Sequence, residues 1–284
     1  MAYWELGVGS WELKRTLKLT LSYDGTRFVG WQRQARGSHG ARLRRGVEVT
    51  GESIQGLLED ALARFEGAPV TVHGAGRTDA GVHALGQVAS VEVACGHAVD
   101  AMLRGLNASL PPEVRVTAVE EAAPGFHARF GARSKTYRYL LRNARVVSPF
   151  ERAYVWHVPE PLDLEAMQEA AAALVGTHDF AAFGSAGGET KDTIRTITRS
   201  EIFPRDAVLQ PSTTIQHPGL LVYEVSGTGF LRHMVRAIVG TLVEIGRGWR
   251  PAASVPALLA GGSRADAGAT APPCGLFLVR VDYD

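Results

Sequence analysis

The chain has 284 residues, of which 45% are apolar, 21% charged and 8% aromatic. This balance is typical of a globular protein and excludes a collagen, a disordered tail and a disulfide-stapled miniprotein. The two cysteines, Cys95 and Cys274, lie far apart in sequence and favour a reducing compartment such as the cytoplasm. There is no apolar run of about 18 residues to predict a membrane span. The first residues also lack the basic region of a secretory signal.

The formal net charge is +1, but the basic residues are unevenly distributed. Residues 1–50 hold nine basic and four acidic residues, a net of +5. Most of this excess lies in one acid-free stretch: Arg33, Arg36, Arg42, Arg44 and Arg45. Arginine binds phosphate through two N–H groups and stacks on bases, so the stretch is a candidate nucleic-acid contact. For the chain as a whole, a genomic bias toward arginine codons is the better explanation of the arginine content.

The first half of the chain is predicted to run strand, helix, strand, strand, helix, strand. Arg15–Tyr23 alternates leucines with polar residues, which indicates a half-buried strand. Ser53–Glu66 has apolar residues at helical spacing behind a serine that can cap the helix. The other predicted elements are a strand at Pro69–Val72, a strand at Gln87–Val93, a helix at Val99–Leu110 and a strand at Val114–Val119.

The second half repeats the same order of elements. Asp163 is a candidate N-cap for the first of its two helices. The predicted elements are strand Lys135–Leu141, helix Asp163–Val175, strands Thr193–Phe203 and Leu220–Val225, helix Phe230–Ile245 and strand Leu276–Asp282. A βαββαβ order is that of the ferredoxin-like unit. We therefore predict an α+β fold of two tandem ferredoxin-like halves, 1–127 and 128–284, with a mainly antiparallel or mixed sheet and the helices packed on one face.

The most unusual segment is Gly74–Gly86, with the sequence GAGRTDAGVHALG. Its glycines follow a predicted strand, but they have neither the Lys-Ser/Thr ending of a P-loop nor the spacing of a dinucleotide-binding loop. The continuation is also strand-like rather than helical. What remains is a sharp turn that presents Arg77, Thr78 and Asp79. A lone turn aspartate is usually structural, because its side chain bonds nearby backbone amides.

Two other segments place charged and aromatic residues where they can contribute to a site. On a strand, Arg133, Lys135, Tyr137 and Tyr139 share a face, which can bind phosphate and stack a base, or can be an ordinary solvated strand. In GTGFLRHMVR, a helix puts Arg232 and Arg236 on one face with His233 alongside. An arginine at the edge of a core favours the ionised form of a nearby carboxylate. A surface arginine pair is the simpler reading.

Metal and hydrolase motifs are missing from the sequence. There is no H-E-x-x-H, no C-x-x-C and no G-x-S-x-G. No metal site is therefore predicted.

Taken together, the segments resemble the tRNA pseudouridine synthases of the A type. GRTDAGVHALGQV is similar to the signature loop of that family. Further similar segments, all in the family's order, are YDGTRFVGWQRQ, SIQGLLEDAL, GLNASLP, FHARFGARSKTYRY, GTHDFAAF, GFLRHMVRAIVG and GLFLVRVDY. The resemblance extends from about Thr16 to Tyr283.

The resemblance implies a role for five positions. Asp79 corresponds to the catalytic aspartate. Arg77 is associated with RNA binding and with taking the place of the target base in the stack. Tyr137 packs on that base, Arg236 pairs with the catalytic carboxylate, and Leu276 lines the uracil pocket. All except Leu276 are also candidates from residue chemistry.

The resemblance also implies the reaction and the partners. The family isomerises uridines 38, 39 and 40 of the tRNA anticodon stem-loop, without a cofactor or metal and as a homodimer. Other possibilities are another RNA target or a non-catalytic tRNA-binding module. The span from Gln34 to Ser53 is longer than in compact members, and we expect its Arg42, Arg44 and Arg45 to contact the tRNA backbone, along with Arg133, Lys135 and Arg232. The first fifteen residues read as an extra leader.

Overall fold

A computed structural model of the chain describes residues 14–33, 42–44, 47–185, 192–205 and 219–283. Elements of the N-terminal half are β1 (Arg15–Tyr23), β2 (Arg42–Arg44), β3 (Val47–Val49), α1 (Ile54–Glu66), β4 (His73–Gly74), β5 (His83–Val93), α2 (Val99–Ser109) and β6 (Val114–Ala122). The expected leader lies outside these ranges, except for its last two residues.

The C-terminal half begins with β7. Its elements are β7 (Ser134–Arg142), β8 (Trp156–His157), α3 (Leu164–Ala172), β9 (Gly176–Asp179), β10 (Ile194–Pro204), β11 (Leu220–Gly227), α4 (Met234–Gly246), α5 (Ser254–Leu259) and β12 (Leu276–Asp282). Short 3₁₀ turns at Ala181–Phe183 and Pro273–Gly275 precede β10 and β12. No helix in the described ranges is both long enough and apolar enough to cross a membrane.

Most strands join one ten-stranded sheet in the order β6-β1-β5-β12-β7-β11-β10-β9, with β4 beside β5 and β8 beside β7. In each half the fourth strand of the βαββαβ unit lies next to the first, the first next to the third, and the third next to the second. This is the ferredoxin-like order, and it confirms the predicted fold class. The halves meet where β5 and β12 run parallel, at His83–Phe277 and Ala84–Leu278. Most other pairings are antiparallel.

The helices cover one face of this sheet. A single large core contains buried side chains from all five helices and from alternate strand residues such as Leu19, Tyr139 and Tyr223. The neighbouring residues Leu140 and Val222 belong to a smaller cluster on the opposite face. This alternation follows from the period of two along a strand, and it confirms that the helices pack on one side.

Local sequence signals fix the ends of the first helices. Ser53 accepts a hydrogen bond from the Gly56 amide and begins α1, while Gly67 at φ +69° ends it. Asp163 caps α3 by accepting from the Ala166 amide, as predicted.

The strand predicted at Pro69–Val72 is wrong, because the strand forms at His73–Gly74 instead. Val72 has an alternative to sheet pairing. Its amide donates to the Glu59 carboxylate, and its carbonyl accepts from the Gln55 side-chain amide. Side chains of α1 thus provide hydrogen-bond partners for the backbone groups of Val72. These groups would otherwise be expected to pair with a neighbouring strand.

The last long helix begins four residues later than predicted, at Met234 rather than Phe230. His233 has φ +64°, a left-handed conformation that an α-helix cannot contain. The sequence from Gln34 to Glu52 is typical of a loop, but within it β2 and β3 form an antiparallel pair. Three further elements, β8, β9 and α5, were not predicted.

Candidate active site

The segment between β4 and β5 forms a tight loop that presents Asp79. Gly30 pairs with Asp79 in an isolated antiparallel bridge, and the Trp31 amide donates to the Thr78 carbonyl at 3.0 Å. A Cβ at Gly30 would lie 2.6 Å from that carbonyl oxygen, and Gly30 has φ +108°. Both features require glycine there. The strand β5 follows the loop directly, so the structure agrees with the rejection of a P-loop or dinucleotide-binding loop, both of which open a helix.

Buried polar groups hold the loop from below. The Tyr23 hydroxyl and Thr78 Oγ1 lie 2.8 Å apart, and Gln87 Nε2 donates to the Gly76 carbonyl at 2.9 Å. Burial raises the pKa of Tyr23 to about 12, although hydrogen bonds with Thr78 and Gln87 act to lower it. The phenol therefore stays protonated at neutral pH and can donate to Thr78. Sequence reasoning missed Tyr23 and Gln87, whose only signal was their position on strands flanking the loop.

Arg236 and Asp79 form an ion pair between the two halves of the molecule. Nη1 of Arg236 donates to Oδ2 of Asp79 at 2.9 Å, and Nε of the same guanidinium donates to the Ala271 carbonyl at 2.8 Å. The Arg236 side chain is 12% exposed and that of Asp79 is 25% exposed. The second hydrogen bond fixes the plane of the guanidinium, so the pair has a defined geometry.

His233 also faces Asp79, with Nε2 3.4 Å from Oδ2. Burial lowers the pKa of His233. Asp79 raises it, but Arg236, Arg232 and Arg264 lower it further. The imidazole is therefore neutral at neutral pH, and its contact with Asp79 is polar rather than an ion pair. The sequence placed His233 next to the arginines but gave it no partner.

Arg232 does not share a helix face with Arg236, contrary to the prediction. It precedes α4, and its side chain is exposed. Its carbonyl accepts a hydrogen bond from the Ser185 amide. The correction follows from the late start of α4, since residues outside the helix do not follow its period.

Tyr137 and Leu276 lie on the neighbouring strands β7 and β12, and the Tyr137 hydroxyl would lie 3.6 Å from a Cβ at Gly76 of the loop. Tyr137 opposes Leu278 across β7 and β12, which puts Leu276 one diagonal step away on the same face. Both side chains are buried in the main core. The Tyr137 ring meets Phe230 edge to face at 5.0 Å. Burial raises the pKa of Tyr137, and the charges of Tyr23 and Asp79 raise it further.

The other predicted basic residues surround this site unevenly. Arg77 is exposed and forms no ion pair with the described part of the chain. Lys135 passes close to the loop, since its Cε would lie 3.5 Å from a Cβ at Gly76. Burial lowers the pKa of Lys135, as does the charge of Arg129. Arg133 is exposed just before β7, so it is not part of the strand face on which it was predicted.

The arginines of the long insertion are only partly described. Arg42 and Arg44 lie in β2, which pairs with β3, and their side-chain positions are not described. Arg45 lies outside the described residues. Of the six basic residues predicted to bind RNA, only Lys135 reaches the Asp79 loop among the side chains that are described.

The arrangement is that of one partly exposed carboxylate, oriented by a guanidinium, near the buried ring of Tyr137. Such a carboxylate can act as a nucleophile or a base. Among the described residues, no group of three or more His, Cys, Asp or Glu side chains could hold a metal ion.

Comparison with known proteins gives one consistent result. A family model described as tRNA pseudouridine synthase matches residues 21–131 and 170–284. A protein named tRNA pseudouridine synthase A from Myxococcus xanthus is 45% identical over 267 residues, covering 94% of this chain and 91% of the relative. Proteins of the same name from Pelobacter propionicus (43% identical, 95% and 100% covered) and Moorella thermoacetica (42%, 94% and 99%) are similar.

Similar solved structures include the "Crystal Structure of a Cbf5-Nop10-Gar1 Complex". A chain of it is 10% identical with a TM-score of 0.29, covering 65% of this chain and 39% of that chain.

The sequence matches identify an isomerase that acts on RNA bases, with the fold described above. The chain belongs to the tRNA pseudouridine synthase family, as its resemblance to the A type led us to expect. The three relatives above all have the name tRNA pseudouridine synthase A.

Proposed function

We propose that this chain converts uridine to pseudouridine in tRNA, with Asp79 as its nucleophile. The observation that carries the proposal is the Asp79–Arg236 pair, held at 2.9 Å between the two halves. A structural aspartate in a turn commonly bonds the backbone amides of that turn. Here the Asp79 carboxylate instead points toward the C-terminal half.

The reaction breaks the bond between N1 of uracil and C1′ of ribose and forms one between C5 and C1′. N1 gains a proton and C5 loses one, so the product is an isomer of the substrate. A covalent step through the Asp79 carboxylate divides one difficult displacement into two easier ones. Attack on the sugar and attack on the uracil ring both fit this scheme. Arg236 would orient the carboxylate for either one.

The neighbouring residues fit the remaining tasks. Tyr137 would pack against the uracil, and Leu276 would form the floor of its pocket, because both side chains are buried on adjacent strands, one diagonal step apart. The target base has to leave the helical stack, which costs a few kcal/mol. Arg77, exposed at the rim of the loop, would offset part of that cost by occupying the vacated space.

The substrate positions come from the family resemblance. We infer that the chain acts on uridines 38, 39 and 40 of the anticodon stem-loop, as a homodimer in the cytoplasm. An enzyme that modifies several adjacent positions is expected to recognise the shape and backbone of the RNA rather than its base edges. Arg42, Arg44, Arg45, Arg133, Lys135 and Arg232 would contribute cations for the tRNA backbone.

We also propose a division of labour between two domains. Residues 1–127 would supply the nucleophile on its loop, and residues 128–284 the stacking tyrosine and the arginine partner. The reaction would then need both halves, because Asp79 and Arg236 come from different ones.

Product mapping on a tRNA transcript tests the proposal. The purified protein is incubated with an unmodified transcript, no cofactor is added, and pseudouridine is mapped by position. Product at 38–40 supports the proposed reaction and target, and product elsewhere would indicate another RNA target. Absence of product while tRNA is bound would instead favour the non-catalytic binding module.

A further inference from the structure

Three aromatic rings, those of His73, His127 and Phe130, make contact where the turn between the two halves meets β4. We call residues 127–130 of the turn, together with His73, the 127–130 cluster. The ring of His127 lies between those of His73, at 4.7 Å, and Phe130, at 4.4 Å between centroids. The interplanar angles are 33° and 36°, so each pair of rings is tilted rather than parallel. The Phe130 side chain is 78% exposed.

The exposed ring stands on a fixed backbone. The Ala128 amide donates to Ser90 Oγ at 3.0 Å, and the Tyr283 hydroxyl donates to the Ala128 carbonyl at 2.8 Å. The Gly131 amide donates to the His127 carbonyl at 2.9 Å, which closes the turn. These bonds hold the turn without any help from the Phe130 side chain. Its exposed position therefore contributes little to folding and is available to a ligand.

Cations accompany the rings. The guanidinium carbon of Arg129 lies 5.7 Å from the Phe130 centroid, within the range of a cation–π contact. Arg129 and Lys135 form no ion pair with any residue in the described ranges, and they are close enough for Arg129 to lower the pKa of Lys135. Burial, His73 and Arg129 lower the pKa of His127, so that ring is neutral at neutral pH. The cluster therefore combines planar apolar surface with two unneutralised positive charges.

The cluster adjoins the candidate active site. His73 is in β4, six residues before Asp79, and six residues span at most about 20 Å. Lys135 links the two places, because its side chain passes Gly76 of the catalytic loop and interacts with Arg129. A strand of RNA with one nucleotide at Asp79 thus reaches the cluster within a few nucleotides.

We propose that the 127–130 cluster is a second nucleotide site. In it an unpaired base of the tRNA stacks on Phe130 and on the guanidinium of Arg129, while Arg129 and Lys135 neutralise the adjoining phosphates. This inference rests on the proposed function, because it takes tRNA as the ligand. Stacked aromatic rings beside cations bind single-stranded nucleic acid with little base preference. Such a site would hold the loop strand while the target uridine is turned.

Another exposed aromatic residue shows why position matters. Trp249 has the Arg247 guanidinium 4.7 Å from its ring, but the pair lies beyond the C-terminus of α4. Arg236 lies at the other end of that 13-residue helix, about 20 Å away. Of these two aromatic–arginine pairs, the one at Phe130 is linked through Lys135 to the catalytic loop.

The test compares matched substitutions in the full-length protein. Phe130→Ala and Arg129→Gln are measured beside Phe150→Ala and Arg152→Gln. Phe150 is 82% exposed and forms no ring or cation contact within the described part of the chain, and Arg152 is exposed and unpaired there. Binding to an unmodified tRNA transcript is titrated at several salt concentrations, and pseudouridine formation is followed with enzyme in saturating excess.

We expect Phe130→Ala to weaken tRNA binding about 5- to 50-fold, the effect of losing one stacked base. The salt dependence should not change, since no charge is removed. Arg129→Gln should weaken binding and reduce the salt slope by about 1. Phe130→Trp should bind tRNA about as tightly as wild type, because it keeps a ring for the base to stack on. The controls Phe150→Ala and Arg152→Gln should bind and react within about twofold of wild type.

Equal affinity of Phe130→Ala, Phe150→Ala and wild type would overturn the inference. Product formation by the wild type in the same experiment would then leave the proposed function standing. Phe130→Ala that binds tRNA as wild type does but has lost affinity for a protein would indicate a protein partner at the cluster. That result would also overturn the inference. If the wild type neither binds nor modifies tRNA, the proposed function and the inference both fail.

Discussion

Arg236 at the start of α4 and Asp79 on the loop before β5 are 157 residues apart in sequence and in direct contact, with Nη1 2.9 Å from Oδ2. They belong to different ferredoxin-like halves, which meet through the parallel pairing of β5 and β12. The candidate site therefore forms only where the two halves meet. A change that shifts one half against the other would separate the carboxylate from its partner.

Arg236→Lys should reduce turnover about 10- to 100-fold, the range that corresponds to losing one charge-assisted hydrogen bond. A lysine ammonium can replace the charge, but it cannot donate to both Asp79 and the Ala271 carbonyl from one plane. Affinity for tRNA should change less than about threefold. The matched control is Arg247→Lys, which lies at the opposite end of α4 from Arg236 and pairs with Glu160. Wild-type turnover by Arg236→Lys would contradict the role of the guanidinium.

The effect of a substitution at His233 on stability should depend on how well the new residue tolerates a left-handed backbone conformation. His233 has φ +64°, so Asn, which tolerates this region, should leave the free energy of unfolding within about 0.5 kcal/mol of wild type. Val at the same position should cost about 1–2 kcal/mol. Urea unfolding at neutral pH measures both variants. Equal stability of the two would show that α4 begins elsewhere or that the turn relaxes.

The buried Tyr23 should make the protein sensitive to alkali. Its pKa rises from 10.0 to about 12 on folding because of burial. The unfolded state thus loses its proton first, and the stability that is present below pH 10 is lost as the pH rises toward 12. Tyr23→Phe should show a shallower loss over this window, with other buried tyrosines such as Tyr223 supplying the rest. Unfolding free energies measured across the range would contradict this if the two slopes were identical.

Asp24 should make the protein sensitive to acid. Burial opposes ionisation, but hydrogen bonds from His83 and Thr26 outweigh it and hold the pKa of Asp24 well below its usual range. His83 Nδ1 lies 3.1 Å from Asp24 Oδ1 and 3.1 Å from the Gly25 amide nitrogen, so the ring is held against the Asp24 turn. The contribution of Asp24 is present above the unfolded pKa of about 3.9 and is lost as the pH falls toward the folded value.

Asp24→Asn should therefore lower stability at neutral pH and weaken the dependence on acid. Tyr154 of the other half donates to Asp24 Oδ2 at 2.9 Å, so a double-mutant cycle with Tyr154→Phe should give a coupling of about 1 kcal/mol. Additive losses would show that this contact does not join the two halves.

The sequence predicted the fold class because its strands and helices carry clear periods, and the resemblance placed Asp79 and Arg236 together. The start of α4 was missed because nothing in the residues before Met234 marks the left-handed turn at His233. The strand at Pro69–Val72 was misplaced because side chains of α1, distant in sequence, bind the backbone of Val72. Likewise, the contact between Tyr23 and Thr78 depends on strand register, which local periods do not reveal.

The most direct test of the account is the single-turnover rate of Asp79→Asn beside wild type on an unmodified tRNA transcript, with tRNA affinity measured for both. Asparagine keeps the shape of the side chain and removes the nucleophilic oxygen. We predict a loss of at least about a thousandfold in pseudouridine formation, with affinity within about threefold of wild type. Turnover by Asp79→Asn near the wild-type rate would contradict the assignment of Asp79 as the nucleophile.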